Sequence, residues 1–238
     1  MGGDWKSAPP EMRETLQIWE FFGCSEEGTF VEVGANDPKN LSQTWFLEKM
    51  GWGGVLVEPL PERCAALRRD RPNSNVFETA VSAPDKTGEA DFYVQDVFSS
   101  LEPHLKDNIM DYKSVIRVKV ATLDAVLEEA GVSRVDFLSV DTEGTEVDVF
   151  RGFDFRKYRP ALILVEDPVL HLEVHRHLES TGYRLVRRTG FNNWYVPGDS
   201  PVRASLYDRL RLFRKMYLGT PLRAFRFRVQ AMRTRKSA

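Results

Sequence analysis

Thr29-Phe-Val-Glu-Val-Gly-Ala-Asn-Asp37 is a β-branched and aromatic run that stops at a glycine and opens into an acidic, Asn-bearing loop. Such a composition predicts a short strand ended by Gly34. A second apolar run, Gly54-Val-Leu-Val-Glu58, is stopped by Pro59, and its final Glu58 lies 24 positions after Gly34. Strand, glycine turn and an acid on the next strand have the spacing of a nucleotide site in an open parallel sheet. There the ligand lies over the carboxyl ends of the strands, the glycine lets backbone amides approach it, and the acid accepts the ribose hydroxyls. The competing reading is that Gly34 only turns the chain and Glu58 is an exposed loop carboxylate.

Outward from this pair, apolar runs alternate with amphipathic segments at β-α intervals. Helices are predicted over Glu11–Phe22 (Met12, Leu16, Trp19 and Phe22 on one side), Leu41–Met50, Pro61–Asp70, Thr122–Ala130 and Leu172–Thr181. Pro61 suits a first helical turn, and Thr122 is an N-cap with Ala125 at the third position. Strands are predicted over Asn75–Ala80, Val135–Asp141 and Ala161–Glu166, the last a continuous apolar run of the kind buried on both faces of a parallel sheet. Ala90–Val94 and Val115–Val120 flank an irregular stretch around Phe98-Ser-Ser-Leu101, read as a mobile loop, and Tyr183–Arg187 with Asn193–Val196 read as a closing hairpin-like pair. The expectation is one α/β domain over residues 1–200 and a basic, amphipathic helical extension over 201–238.

The charge of −2 over 238 residues conceals an asymmetry. From Arg203 onward eleven basic residues face the single acid Asp208, so this segment carries +10 and the rest −12. An acidic body with a basic tail suits docking on its own body, an acidic partner, a polyanion or a membrane surface. In the tail, Leu206, Leu210, Phe213 and Tyr217 recur at helical spacing, as do Leu222, Phe225, Val229 and Met232, with Gly219-Thr-Pro221 between them. This predicts a helical hairpin whose stripes pack on the domain, pair with a second subunit in a homodimer, or lie on lipid as a peripheral contact. No uncharged run approaches the ~20 residues of a membrane span, no apolar signal region opens the chain, and Cys24 and Cys64 are too few for a disulfide framework, so a cytoplasmic protein is expected.

The loop after Gly34 lacks the second and third glycines of a pyrophosphate-binding turn, and the chain has no Tyr-x-x-x-Lys pair, which disfavours a dinucleotide oxidoreductase. Carboxylates beside a diphosphate repel it, whereas an ammonium and a sulfonium are attracted.

Three stretches resemble the FkbM-type S-adenosylmethionine-dependent methyltransferases: Gly28-Thr-Phe-Val-Glu-Val-Gly-Ala-Asn-Asp37, Leu47-Glu-Lys-Met-Gly-Trp-Gly-Gly-Val-Leu-Val-Glu-Pro-Leu-Pro61, and Val135-Asp-Phe-Leu-Ser-Val-Asp-Thr-Glu-Gly-Thr-Glu-Val-Asp-Val-Phe-Arg-Gly152. The resemblance covers roughly residues 28–167. It implies a doubly wound, mostly parallel seven-stranded sheet of Rossmann-like type with a reversed last strand, S-adenosylmethionine as methyl donor, and hydroxyl acceptors on sugars, glycolipids or polyketides. Carried over by position, it puts Glu32, Gly34, Ala35 and Asn36 around the methionine end, Ser42 near its carboxylate, Glu58 on the ribose diol, Ala80 by the adenine edge and Asp141 next to the sulfonium. Pro38 stands where the family has glycine, which stiffens the loop.

Methylating an alcohol requires a positioned base or a metal that acidifies the hydroxyl. One reading makes His171 the base, oriented by Asp141 or Glu143. The other has Asp141, Glu166 and Asp167 bind Mg²⁺, similar to catechol-type O-methyltransferases. Glu143, Glu146 and Asp148 read as first-turn helix acids, with Arg151 paired to one of them. Ser99 and Ser100 read as lid hydroxyls, and Trp45, Phe46 and Trp52 as core or interface aromatics. The expected function is an O-methyltransferase acting on a small-molecule or glycan hydroxyl, with no nucleic-acid partner. The alternative is a non-catalytic binding module whose tail grips RNA or anionic lipid.

Overall fold

Helices cover both faces of a central sheet, because its strands are apolar on both faces. The computed structural model describes residues 10–95, 99–102, 112–166 and 172–214. Along the chain run α1 (Pro10–Phe21), β1 (Thr29–Val33), α2 (Trp45–Lys49), β2 (Gly53–Glu58), α3 (Pro61–Asp70), β3 (Ser74–Glu78) and β4 (Ala80–Val81). Next come β5 (Gly88–Val94), β6 (Ser114–Ala121), α4 (Leu123–Glu129), β7 (Phe137–Val140), α5 (Glu146–Arg151) and β8 (Leu162–Glu166). The described chain closes with α6 (Glu173–Ser180), β9 (Tyr183–Thr189), β10 (Asn192–Pro197) and α7 (Leu206–Phe213).

Seven strands form the main sheet in the order β3-β2-β1-β7-β8-β10-β9. The first five are parallel to one another, and β10 enters antiparallel between β8 and β9. The doubly wound sheet with a reversed last strand is therefore present. Alternation along each strand fills two cores: Val31, Val33, Ile163 and Val165 face α4, α5 and α6, whereas Phe30, Leu162 and Leu164 face α1, α2 and α3. Burial of each such side chain contributes about 1.5–3 kcal/mol.

Several elements differ from expectation. The strand expected over Asn75–Ala80 breaks at Thr79, whose hydroxyl donates to the Lys119 carbonyl at 3.1 Å. Beyond it, β4 leaves the main sheet and pairs with β6, which with β5 makes a second sheet of three strands. The helix expected from Leu41 begins only at Trp45. The buried Glu32 carboxylate draws the Ser42 hydroxyl and the Gln43 amide at 2.9 and 2.8 Å, which holds this turn out of helical geometry. In α1 the inward face centres on Ile18 and Thr15 rather than on Met12 and Leu16. Thr122 does cap α4, accepting from the Ala125 amide at 3.1 Å.

α7 contacts β9 and buries Leu212, while Leu206, Leu210 and Phe213 are exposed, so of the three expected fates of this stripe, packing on the domain is not the one seen. The rest of the expected hairpin, from residue 215 on, lies outside the described residues, as does most of the loop between β5 and β6.

Candidate active site

The parallel strands β1, β2, β7 and β8 end on the same edge of the sheet. At that edge lies a cavity of about 310 Å³, lined by Gly34, Ala35 and Asn36 after β1, Glu58 at the end of β2, Ala80 on β4, Asp141 after β7 and Glu166 at the end of β8. Glu32, Glu58, Asp141, Glu143 and Glu166 all line it, and no Lys, Arg or His does among the described residues.

Gly34 is required by its packing. It has φ +84°, and a Cβ there would stand 1.8 Å from the Asp141 carbonyl oxygen. The loop is then tied to β2, because the Gly34 and Ala35 amides donate to the Val57 carbonyl and the Asn36 amide donates to the Glu58 carboxylate at 2.9 Å. The other Glu58 oxygen accepts from the Leu60 amide, also at 2.9 Å. Burial pushes the Glu58 carboxyl up, and the two amides oppose that shift. Each oxygen keeps a lone pair for a further donor, and Glu58 is buried at the cavity wall rather than being an exposed loop acid.

Glu32 lines the cavity and also ties down the loop beneath it. Its carboxylate accepts from the hydroxyls of Ser42 and Thr44 and from the Gln43 amide. Behind them sits Arg71, wholly buried, which donates to Glu48 at 2.5 Å, Thr44 at 2.8 Å, and Ser42 and the Pro38 carbonyl at 3.2 Å. Ser42 is consumed in this network and is not among the residues lining the cavity. Gln43 lines it instead. Pro38 thus fits a loop already fixed from below.

On the opposite wall, Asp141, Glu143 and Glu166 each bring a carboxylate oxygen within 4.8 Å of the others. Protein packed around Asp141 raises its carboxyl well above the usual range although the side chain opens on the cavity. Hydrogen-bond and charge contact with Glu166, then the charges of Glu143 and Glu146, push the same way. Glu143 is pushed up to about 7, by burial first and then by Glu166 and Glu146. Three such oxygens suit a hard cation, or can share a proton among themselves.

Glu143 was expected to be a helix acid. Instead φ is +54° there and +105° at Gly144, which turns the Glu143 side chain to the cavity. Glu146 holds that turn, accepting from the Thr142 and Gly144 amides at 3.2 and 2.9 Å. The Gly after Glu143 is the sequence signal that marks such a turn. Asp148 matches the structural reading: it pairs with Arg151 at 2.8 Å and Lys86 at 2.6 Å. Ser99 lines the cavity, whereas the Ser100 hydroxyl is buried and donates to the Glu143 carbonyl at 3.1 Å. Trp52 is core, with its indole N–H donating to the Ser25 carbonyl. Asn192, which sequence reasoning missed, lines the cavity from β10 and donates to Glu14 of α1 at 2.6 Å. His171 and Asp167, named as base and metal ligand, lie outside the described residues. His175 and His177 point elsewhere: His175 is buried beside the Tyr195 hydroxyl, and His177 stacks on Phe150.

A doubly wound sheet with an acidic cavity over its parallel strand ends is the arrangement in which open α/β sheets hold their ligands. The family model described as the methyltransferase FkbM domain matches residues 32–185, and the chain belongs to this family of methyltransferases. Among solved structures it is similar to the FkbM methyltransferase of Methylobacillus flagellatus KT, with 14% identity and a TM-score of 0.43, over 72% of this chain and 44% of that one. It is also similar to a SAM-dependent methyltransferase from Aquifex aeolicus, with 14% identity and a TM-score of 0.43, over 80% of this chain and 93% of that one. No curated protein matches the chain. Among the described residues, no helix is long and apolar enough to cross a membrane.

Proposed function

We propose that this methyltransferase uses S-adenosylmethionine and methylates a hydroxyl of a sugar, glycolipid or polyketide-like acceptor. The observation that carries the reading is the charge of the cavity, with five carboxylates and no basic side chain among its described lining residues. A phosphate-bearing cofactor would be repelled there, and a cation is favoured. S-adenosylmethionine, when bound, supplies a methyl group activated on a positive sulfur. Its neutral nucleoside matches Glu58, whose carboxylate is held by two backbone amides and has lone pairs left for a ribose diol. Ala35, Asn36, Leu60, Thr79 and Ala80 line the same cavity as Glu58.

The acceptor hydroxyl has to lose its proton as the new bond forms. Asp141, Glu143 and Glu166 lie together at the far wall, and a Glu143 carboxylate with a pKa of about 7 is matched to neutral pH as a general base. Asp141, whose carboxyl is raised well above the ordinary range by burial and by its contact with Glu166, supplies a hydrogen-bond donor that orients the acceptor. A second reading rests on the same carboxylates: Asp141, Glu143 and Glu166 would hold a divalent cation such as Mg²⁺, which would supply Lewis-acid activation of the acceptor hydroxyl.

Transfer of labelled methyl from S-adenosylmethionine to a panel of polyhydroxylated acceptors tests the reading. Glu143→Gln is expected to lower turnover by about 10²–10⁴-fold with cofactor binding retained. An unchanged rate would remove Glu143 from the chemistry, and stimulation by added Mg²⁺ would favour the second reading.

A further inference from the structure

Helix α7 turns its apolar side away from the domain. Leu206, Tyr207 and Leu210 are 71%, 72% and 63% exposed, whereas Leu212 is 8% exposed. Single exposed leucines are ordinary on a soluble surface, but these three share one two-turn helix. At 3.6 residues per turn, Leu206 and Leu210 fall on one stripe, with Arg209 on one border and Arg214 on the other, roughly opposite Leu212.

This orientation is anchored. Ser205 caps α7, accepting from the Asp208 amide at 3.0 Å. The Arg184 guanidinium of β9 donates to the carbonyls of Ser200, at 2.9 Å, and Val202, which leashes the chain entering the helix. With α7 against β9 and Leu212 buried, the leucine and arginine side faces outward.

We infer that α7 docks on an anionic lipid bilayer, with Leu206, Tyr207 and Leu210 entering the headgroup boundary and Arg203, Arg209 and Arg214 meeting lipid phosphates. Charge complementarity selects this occupant. The segment from Arg203 onward carries +10 and the rest of the chain −12, so an anionic surface attracts this end and repels the remainder. An apolar stripe bordered by arginines is the pattern of an interfacial helix, which needs both apolar burial and attraction to charged headgroups. A nucleic acid would use the arginines but leave the leucines in water.

The test is co-sedimentation of the full chain with vesicles of phosphatidylcholine alone and of phosphatidylcholine with phosphatidylserine. The variants are Leu206→Ser with Leu210→Ser, and Arg209→Gln with Arg214→Gln, all at exposed positions, with thermal melting as the check on folding. The chain is expected to pellet with the anionic vesicles only and less so as salt rises. Both variants are expected to bind them about tenfold more weakly or worse. The inference is overturned if the full chain ignores anionic vesicles, or if the leucine variant binds them as well as the parent and poly(U) RNA competes equally for both, which would make the segment a polyanion-binding tail. It is equally overturned if the leucine variant turns a dimer into a monomer and no vesicle binding is seen, which would make the stripe an interface between two copies.

Discussion

A Cβ placed on Gly34 would stand 1.8 Å from the carbonyl oxygen of Asp141, so the turn after β1 and the end of β7 touch through bare backbone. The contact joins the side of the cavity that carries Glu58 to the side that carries the three clustered acids. With φ at +84° as well, the position combines a conformational and a steric demand for glycine. Gly34→Ala is therefore expected to cost more than the ~1–2 kcal/mol of left-handed strain alone. Urea unfolding checks the stability, and loss of S-adenosylhomocysteine binding beyond that explained by unfolding checks the geometry.

Arg71 and Glu48 form a second pair with a clear prediction. Both are buried, and the guanidinium supports the turn that carries Gln43 into the cavity. Arg71→Met removes the cation from Glu48, which keeps the Asn73 amide and Ser74 hydroxyl, and from Glu32 at 3.9 Å, and is expected to lower stability by about 3–5 kcal/mol. The double variant Arg71→Met with Glu48→Leu is expected to recover part of that loss, because Glu32 still lacks its cation. A denaturant series on the single and double variants measures both, and equal losses in the two would show that the Glu48 charge is not the source.

Glu143 makes stability depend on pH. Its folded-state carboxyl titrates at about 7, above the ordinary 4.5, so between those values the native state holds a proton that the unfolded chain has released. Stability is therefore expected to fall as pH rises through this window. The shifts at Glu58 and Asp141 are also upward and add to the same slope. Glu143→Gln is expected to flatten the dependence of the melting temperature on pH, and activity governed by this group rises where stability falls. A pH–rate profile on parent and variant separates the two effects.

Much of this was readable before the fold. Pro61–Asp70 is a helix with the expected bounds, its start marked locally by the first-turn proline. The pairing of Gly34 with Glu58 across adjacent parallel strands followed from their spacing, and Ala80 reaches the cavity as expected. What was not readable depended on distant partners. Ser42 was placed on the ligand because nothing near it in sequence shows that Glu32 and Arg71 claim its hydroxyl. Glu143 was placed in a helix because its helix-side neighbours Glu146 and Asp148 are ordinary first-turn acids, and only the positive φ at Glu143 and Gly144 sends it to the cavity. The sequence leaves the fate of the α7 stripe open between the domain, a second subunit and lipid, since periodicity reports that a helix has an apolar side but not what meets it.

The central claim, an S-adenosylmethionine site over β1 and β2 read by Glu58, is tested most directly by calorimetric titration of S-adenosylhomocysteine into the full chain, with and without Mg²⁺. Saturable binding is expected, weakened about tenfold or more by Glu58→Gln, which keeps the shape of the side chain and removes its charge. A chain that melts as a folded protein yet binds no S-adenosylhomocysteine under either condition, or binds it equally well with Gln at position 58, would contradict the account.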